Sequence, residues 1–99
     1  MKEEFLLRVR QVLAQENLKA EDFALKAGMK YTRLRNLLGG QGQPRLVDID
    51  AICSAFPEYS HWLVFGEVLP EVGQINPEIK EAKKQYQLST GKSGSKKSK

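Results

Sequence analysis

At 99 residues and a formal net charge of +4 at pH 7, the chain is long enough for one small domain but too short for a deep enzymatic cleft beside a second domain. Its apolar runs fall well short of the roughly 20 residues that a membrane-spanning helix needs, and charges interrupt MKEEFLLRVR too often for a signal peptide. We therefore expect a cytoplasmic protein, and the single cysteine, Cys53, excludes an internal disulfide.

The distribution of charge is more informative than its total. Residues 89–99 contain four lysines and no acid, whereas residues 1–88 hold 12 basic and 12 acidic side chains and are neutral. Within that neutral body, residues 26–45 carry five cations and no anion, while residues 46–79 carry six anions and no cation. Such segregation gives a protein one face that attracts phosphate and another that repels it.

A first amphipathic helix is predicted from Lys2 to about Glu16. Asn17 is expected at its end, because asparagine tolerates a left-handed backbone. We interpret this helix as scaffold, with Arg8 and Arg10 as minor candidates for contact with a nucleic-acid backbone. Its apolar stripe consists of Phe5, Leu6, Val9, Val12 and Leu13.

The stretch AEDFALKAGMKYTRLRNLLG, residues 20–39, has the form of a helix-turn-helix. Gly28 opens the turn between two short amphipathic patterns, because glycine enters a left-handed conformation without steric cost. Ala24 lies on the inner face of the first helix, where the two helix axes come closest. The apolar residues that would fix this pair on the rest of the domain are Phe23, Ala27, Met29, Leu34 and Leu37.

The second helix of this motif presents an outer face without acidic residues. The candidates to read base edges in DNA are Tyr31, Thr32, Arg35 and Asn36. The candidates to hold the DNA backbone are Lys30, Arg33 and Arg45. An ordinary packed hairpin with a solvated basic face is the alternative interpretation.

The glycine-rich segment GGQGQP, residues 39–44, ends the motif. It lacks a preceding strand and the Lys-Ser/Thr ending of a P-loop, so a flexible loop near a nucleic-acid backbone is favoured over a nucleotide site. The following LVDIDAICSAF predicts a helix with Leu46 facing inward and both Asp48 and Asp50 facing outward. Residues two apart on a helix diverge by about 200°, so these two carboxylates are not expected to share a metal ion.

A short helix is predicted after Pro57, with Ser60 as its N-cap and Gly66 at its end. His61 is the only histidine, and neither a nucleophile nor a second metal ligand stands at a suitable spacing from it. We therefore expect no catalytic residue, no metal site and no cofactor.

From about Phe5 to Gly66 the chain resembles the lambda repressor-like, or XRE-type, DNA-binding domain. The resemblance rests on FALKAGMKYTRLRNLLGG, on the basic loop ending in Pro44 and Arg45, and on the following helix that closes with an aromatic residue. The ending FPEYSHWLVFGEVLPEVGQINPE is similar to small prophage-encoded regulators.

This resemblance implies an all-α fold, a compact five-helix bundle in which the second and third helices form the motif. It implies structural roles for Ala24, Gly28, Leu34 and Leu37, and it assigns base reading to the same four residues named above. The second helix opens with Ala20 and Glu21, where relatives often have Gln or Ser at the phosphate, and this departs from the family pattern.

After the predicted DNA-binding domain, residues 1–66, we expect a C-terminal extension over residues 67–88 and a disordered basic tail over residues 89–99. In the extension, EVLPEVGQ is expected to be extended, and Asn76 with Pro77 predicts the start of a short helix. Its apolar residues either fold back on the bundle or pair with a second copy, and we favour a homodimer that binds two half-sites. The predicted dimerisation residues are Val68, Leu69, Val72, Ile75, Ile79 and Tyr86.

The sequence thus predicts a double-stranded DNA-binding transcriptional regulator, a repressor of prophage or mobile-element type. Arg35 is the first choice for a bidentate contact with guanine. A protein-interaction module, antitoxin-like or an adaptor, is the alternative, and it would use the bundle and the segment after Gly66. Neither a membrane nor a small-molecule substrate is indicated.

Overall fold

The computed structural model describes residues 2–94, and within that range the chain is helical and contains no strand. The predicted all-α fold is therefore confirmed. Two short 3₁₀ turns, Pro57–Tyr59 and Pro70–Val72, precede the last two helices. The six helices are α1 (Lys2–Gln15), α2 (Ala20–Ala27), α3 (Tyr31–Leu38), α4 (Leu46–Ala55), α5 (Ser60–Phe65) and α6 (Pro77–Gly94).

One hydrophobic core joins α1 to α5. The rings of Phe23 and Phe56 stack at its centre, with ring centroids 4.7 Å apart. Each large apolar side chain that is fully removed from water contributes roughly 1.5–3 kcal/mol, so the shared core is the main source of stability. The side chains with no exposed surface include Val9, Val12, Phe23, Leu34, Leu37, Ile52, Tyr59 and Leu63.

The turn between α2 and α3 consists of Gly28, Met29 and Lys30. Gly28 has φ +70°, and its N–H donates to the carbonyl of Leu25 at 3.1 Å. The N–H of Met29 donates to the carbonyl of Ala24 at 2.9 Å, which completes a Schellman cap. The predicted roles of Gly28 as the turn residue and of Ala24 as a buried residue are confirmed.

For two residues at the start of α4, the predicted orientation is wrong. Leu46 is 82% exposed, whereas Asp48 is only 5% exposed. The reason is local, because Asp48 accepts a hydrogen bond from the N–H of Arg45 at 2.8 Å and so turns back over the start of its own helix. The inward-facing pattern of α4 consequently depends on Ile49 and Ile52 rather than on Leu46.

Helix α5 begins differently from the prediction, because Ser60 is its first residue and does not cap it. The Ser60 hydroxyl donates to the carbonyl of Pro57 at 2.9 Å. The side chain of Gln74 instead satisfies the start of the helix, since its Oε1 accepts from the N–H of His61 at 3.0 Å. Gly66, with φ +76°, ends the helix as predicted.

The segment between α5 and α6 is a tight turn rather than the expected extended chain. Leu69 and Gln74 exchange two backbone hydrogen bonds, of 2.8 and 3.0 Å, around the 3₁₀ turn Pro70–Val72. Asn76 then caps α6 as predicted, accepting from the N–H of Ile79 at 2.8 Å.

Helix α6 has 18 residues and is not the short helix that the sequence predicts. It continues to Gly94, six residues into the segment 89–99 that the sequence predicts to be a disordered tail. The remainder of that predicted tail, residues 95–99, lies outside the described residues.

A polar cluster attaches α6 to the rest of the bundle. The Lys80 ammonium lies 2.8 Å from Glu16 Oε2 and 3.1 Å from Glu58 Oε2. The buried hydroxyl of Tyr59 donates to the same Glu16 oxygen at 2.6 Å. Burial raises the pKa of Glu16, but the hydrogen bonds from Lys80 and Tyr59 outweigh that effect, so its pKa lies below the usual value.

Candidate nucleic-acid interface

The exposed face of α3 brings together the four side chains predicted to read bases. Tyr31, Thr32 and Arg35 are exposed, and Asn36 is half-buried at the edge of the same face. On the opposite face, Leu34 and Leu37 are completely buried and fix the rotation of the helix about its axis.

Tyr31 and Arg35 touch each other on this face. They stand one turn apart on α3, and the Arg35 guanidinium carbon lies 5.6 Å from the centroid of the Tyr31 ring. A guanidinium over an aromatic ring gains a cation–π attraction of roughly 0.5–1 kcal/mol at an exposed site. Arg35 remains exposed to solvent beside this ring.

The three predicted backbone anchors lie around a shallow groove between the α2–α3 turn and α4. The groove has a volume of about 390 Å³ and contains Lys30, Arg33 and Arg45 beside Met29 and Val47. Lys30 is exposed at the start of α3, and the side chain of Arg45 is 69% exposed. These two cations are therefore accessible from solvent.

Arg33 has a different environment, because its guanidinium is bound within the protein. Its Nη2 lies 2.7 Å from Asp48 Oδ2, and its Nε donates to Asp48 Oδ1 at 3.3 Å. Nη2 also donates to the carbonyl of Gln43 in the glycine-rich loop at 2.9 Å. Arg33 thus connects α3, the loop and α4.

The ion pair changes the acidity of both partners. The hydrogen bond from Arg33 holds the pKa of Asp48 below its usual value, although burial acts in the opposite direction. The same hydrogen bond raises the pKa of Arg33. Both groups therefore stay charged at neutral pH, and their charges cancel locally.

Sequence reasoning did not identify Asp48 as part of this region. A local signal was present. An acidic side chain at the third position of a helix commonly turns back and accepts a hydrogen bond from the N–H of the residue just before the helix. The partner of this carboxylate, Arg33, is 15 positions earlier in the chain, and no local pattern predicts that contact.

The two arginines of α1 are also used within the protein. Arg8 Nη1 donates to the carbonyl of Leu63 in α5 at 3.1 Å. Arg10 Nη2 donates to the carbonyl of Leu38, the last residue of α3. Both side chains hold helix ends in place, which favours the scaffold interpretation of α1.

The six predicted dimerisation residues fall into two groups. Ile75 is buried in the core, and Val68 and Ile79 pack against it, so these three fold back on the bundle. Val72 and Tyr86 are 67% and 71% exposed, and Leu69 is partly exposed. Of the six, Leu69, Val72 and Tyr86 therefore keep apolar surface exposed to solvent.

His61 and Cys53, the only histidine and the only cysteine of the sequence, have the following surroundings. The Nε2 atom of His61 lies 3.8 Å from Glu67 Oε1, and its ring lies against Phe65. Burial raises the pKa of the Cys53 thiol, which disfavours the reactive thiolate. Among the residues that the structure describes, no three His, Cys, Asp or Glu side chains are placed to hold a metal ion.

No protein-family model and no curated protein matches the sequence. In the part of the chain that the structure describes, no helix combines the length and the apolar character needed to cross a membrane.

Proposed function

We propose that the protein is a sequence-specific, double-stranded DNA-binding transcriptional regulator. The observation that carries this proposal is the acid-free exposed face of α3, which is held by the buried Leu34 and Leu37 and joined to α2 by a three-residue turn. Two helices joined in this way are typical of the helix-turn-helix, in which the second helix enters the major groove. The lambda repressor-like arrangement of the five-helix bundle is part of the same proposal.

In this proposal the side chains of α3 have separate tasks. Arg35 donates two hydrogen bonds to O6 and N7 of a guanine, the commonest specific contact in the major groove. Tyr31 and Thr32, at the start of the helix, contact a thymine methyl group or the flanking phosphates, and Asn36 reads a base at the edge of the face. Lys30 and Arg45 hold phosphates on either side of the groove.

We further propose that the protein acts in the cytoplasm as a homodimeric repressor of prophage or mobile-element type. A single α3 contacts only a few base pairs, and two copies on half-sites one helical turn apart bind with greater affinity and specificity. The exposed Leu69, Val72 and Tyr86 supply apolar surface for such a dimer.

Selection of bound duplexes from a random pool, repeated at two salt concentrations, tests the proposal. We expect an enriched pair of half-sites spaced about 10 base pairs apart, with an affinity that falls steeply as salt increases. Recovery of no enriched sequence, together with the absence of salt-dependent binding to any duplex, would contradict the proposal.

A protein-interaction module is the second candidate function, and one observation favours it. Leu46 and Phe65, which are 82% and 64% exposed, line a groove of about 450 Å³ between α4 and α5. Exposed apolar side chains on both walls of a groove are typical of protein-binding surfaces. This function predicts that no duplex binds and that substitution of Arg35 leaves activity in the cell unchanged.

A further inference from the structure

Asp48 is buried at the junction of three elements that the proposed function uses. Its two oxygens accept hydrogen bonds from Arg33 of α3 and from the N–H of Arg45 at the end of the loop. Asp48 is 5% exposed, and its Oδ2 atom lies 2.7 Å from Nη2 of Arg33. No other charged side chain of residues 3–87 is as thoroughly buried.

The ion pair limits the number of cations available to DNA. Arg33 uses Nε and Nη2 for Asp48 and for the carbonyl of Gln43, so two of its three nitrogens are occupied within the protein. Its charge is compensated by a carboxylate that is held below its usual pKa and remains ionised. Lys30, Arg35 and Arg45 remain accessible around α3, although Nε of the largely exposed Arg45 side chain also lies 3.6 Å from Asp48 Oδ2.

We propose that Asp48 is a positioning residue that determines the balance between specific and non-specific DNA binding. By retaining Arg33 on the protein, Asp48 withholds one cation from the phosphate backbone, and it orients the loop that carries Arg45. Arg33 is then a structural bridge rather than the backbone anchor that the sequence predicts. The inference rests on the proposed DNA-binding function.

Counterion release predicts how the loss of this ion pair changes the salt dependence of DNA binding. Each phosphate that a protein cation neutralises adds about 0.9 to the slope of log K against log salt concentration. Release of Arg33 from Asp48 therefore adds a cation that binds any sequence, and affinity for random DNA rises more than affinity for the selected site. A purely structural role for Asp48 predicts the opposite, a loss of affinity for both duplexes.

Asp48→Asn is the informative variant, because asparagine retains an acceptor for the N–H of Arg45 but carries no charge. We expect the salt slope on a random duplex to steepen by about one and the affinity for that duplex to rise up to about tenfold. The preference for the selected duplex should fall by a similar factor. Asp50→Asn, which removes an exposed carboxylate from the same helix, is the matched control and should change the slope far less.

The double variant Arg33→Gln with Asp48→Asn provides a second test that does not depend on how well the single variant folds. It removes both members of the pair, so we expect the salt slope on random DNA to equal that of the wild type. A slope reduced by about one would show that Arg33 already contacts phosphate in the wild type and would overturn the inference.

Failure of the proposed function and failure of this inference give different results. A wild-type protein that binds no duplex refutes the proposed function and this inference with it. A wild-type protein that binds DNA, with an Asp48→Asn variant whose salt slope on random DNA is unchanged or shallower, refutes the inference alone.

Discussion

At the scale of single residues, the candidate interface separates cations with different expected effects on DNA binding. Arg35 projects from the middle of the exposed face of α3 beside Tyr31, whereas Arg45 lies at its margin and contacts the carboxylate of Asp48 only at 3.6 Å. A side chain at the centre of a recognition helix reaches base edges, and one at the margin reaches phosphates. Substitution of each should therefore give a distinct signature.

We expect Arg35→Ala to cost roughly 1–3 kcal/mol of binding free energy on the selected duplex and to relax the preference at one base pair. Arg45→Ala should weaken selected and random duplexes alike and reduce the salt slope by about one. Titrations of both duplexes at several salt concentrations measure these effects. Equal losses on selected and random DNA for Arg35→Ala would refute its assignment to base reading.

Backbone conformation at the α2–α3 turn leads to a second residue-scale prediction. Gly28→Ala should lower the free energy of unfolding by about 1 kcal/mol, because a Cβ at φ +70° is strained although no atom stands within 4 Å of it. Urea unfolding measures the change. The control variant is Asn17→Gly. Asn17 has a left-handed backbone, with φ +56°, and glycine adopts that conformation without strain. An Ala variant as stable as the wild type would contradict this account.

At the scale of helices, local sequence patterns predicted which segments are helical more accurately than how each helix begins and ends. The α2–turn–α3 unit follows from Gly28, Ala24 and the apolar period, and all of these signals lie within 20 neighbouring residues. The prediction of a helix start was wrong where the capping side chain comes from a distant part of the chain. At the start of α5, Gln74 takes the role predicted for Ser60 and accepts from the N–H of His61, which is 13 positions earlier in the chain.

The candidate site divides in the same way. The exposed face of α3 could be predicted from the sequence, because helical period alone determines which residues oppose Leu34 and Leu37. The environment of Asp48 could be predicted only in part. Its turn back onto the N–H of Arg45 is a local feature of the helix start, whereas the cation that compensates its buried charge, Arg33, comes from another helix.

The polar cluster between α1 and α6 makes stability depend on pH. The pKa of Glu16 is depressed in the folded state, so its contribution is present above the unfolded value of 4.5 and is lost as pH falls through the lower folded value. Burial lowers the pKa of Lys80, but its hydrogen bonds to Glu16 and Glu58 outweigh that effect and raise the pKa above 10.5. The contribution of Lys80 is therefore present below that value and is lost as pH rises through the folded pKa.

We expect Glu16→Gln to be less stable than the wild type at neutral pH and to lose less additional stability between about pH 5 and pH 3. Urea unfolding of both proteins across that range is the measurement. Glu21→Gln, which removes an exposed carboxylate from α2, serves as the control and should follow the wild type. Parallel pH profiles for Glu16→Gln and the wild type would show that the cluster does not contribute.

At the scale of the whole molecule, the described chain is elongated, with principal extents of 52 × 25 × 18 Å. Helix α6 is attached near its start by Lys80 and by the contact between Gln15 and Glu81, at 3.0 Å. From Ala82 to Gln87 its side chains are exposed. In the proposed dimer, a second protomer would cover this exposed part of α6, which includes Tyr86.

Val72→Glu should shift the proposed dimer toward monomer, because a two-fold interface would place two new charges in an apolar contact. Val72 is already exposed, so the fold should tolerate the change. Light scattering at micromolar protein concentration measures the mass. Phe65→Glu is the matched control on α5. A monomeric wild type, or dissociation by Phe65→Glu but not by Val72→Glu, would refute the assignment of the dimer to this segment.

The tight turn after α5 has a consequence for how the molecule opens. Gln74 satisfies the N–H of His61, and the N–H of Ile75 donates to the carbonyl of Glu58 at 2.9 Å. A fragment ending at Gly66 would leave those groups without partners and uncover the side of the core that Ile75 closes. We therefore expect the backbone amides of α5 and of Ile75 to exchange with solvent deuterium at a common rate, as members of one cooperative unit.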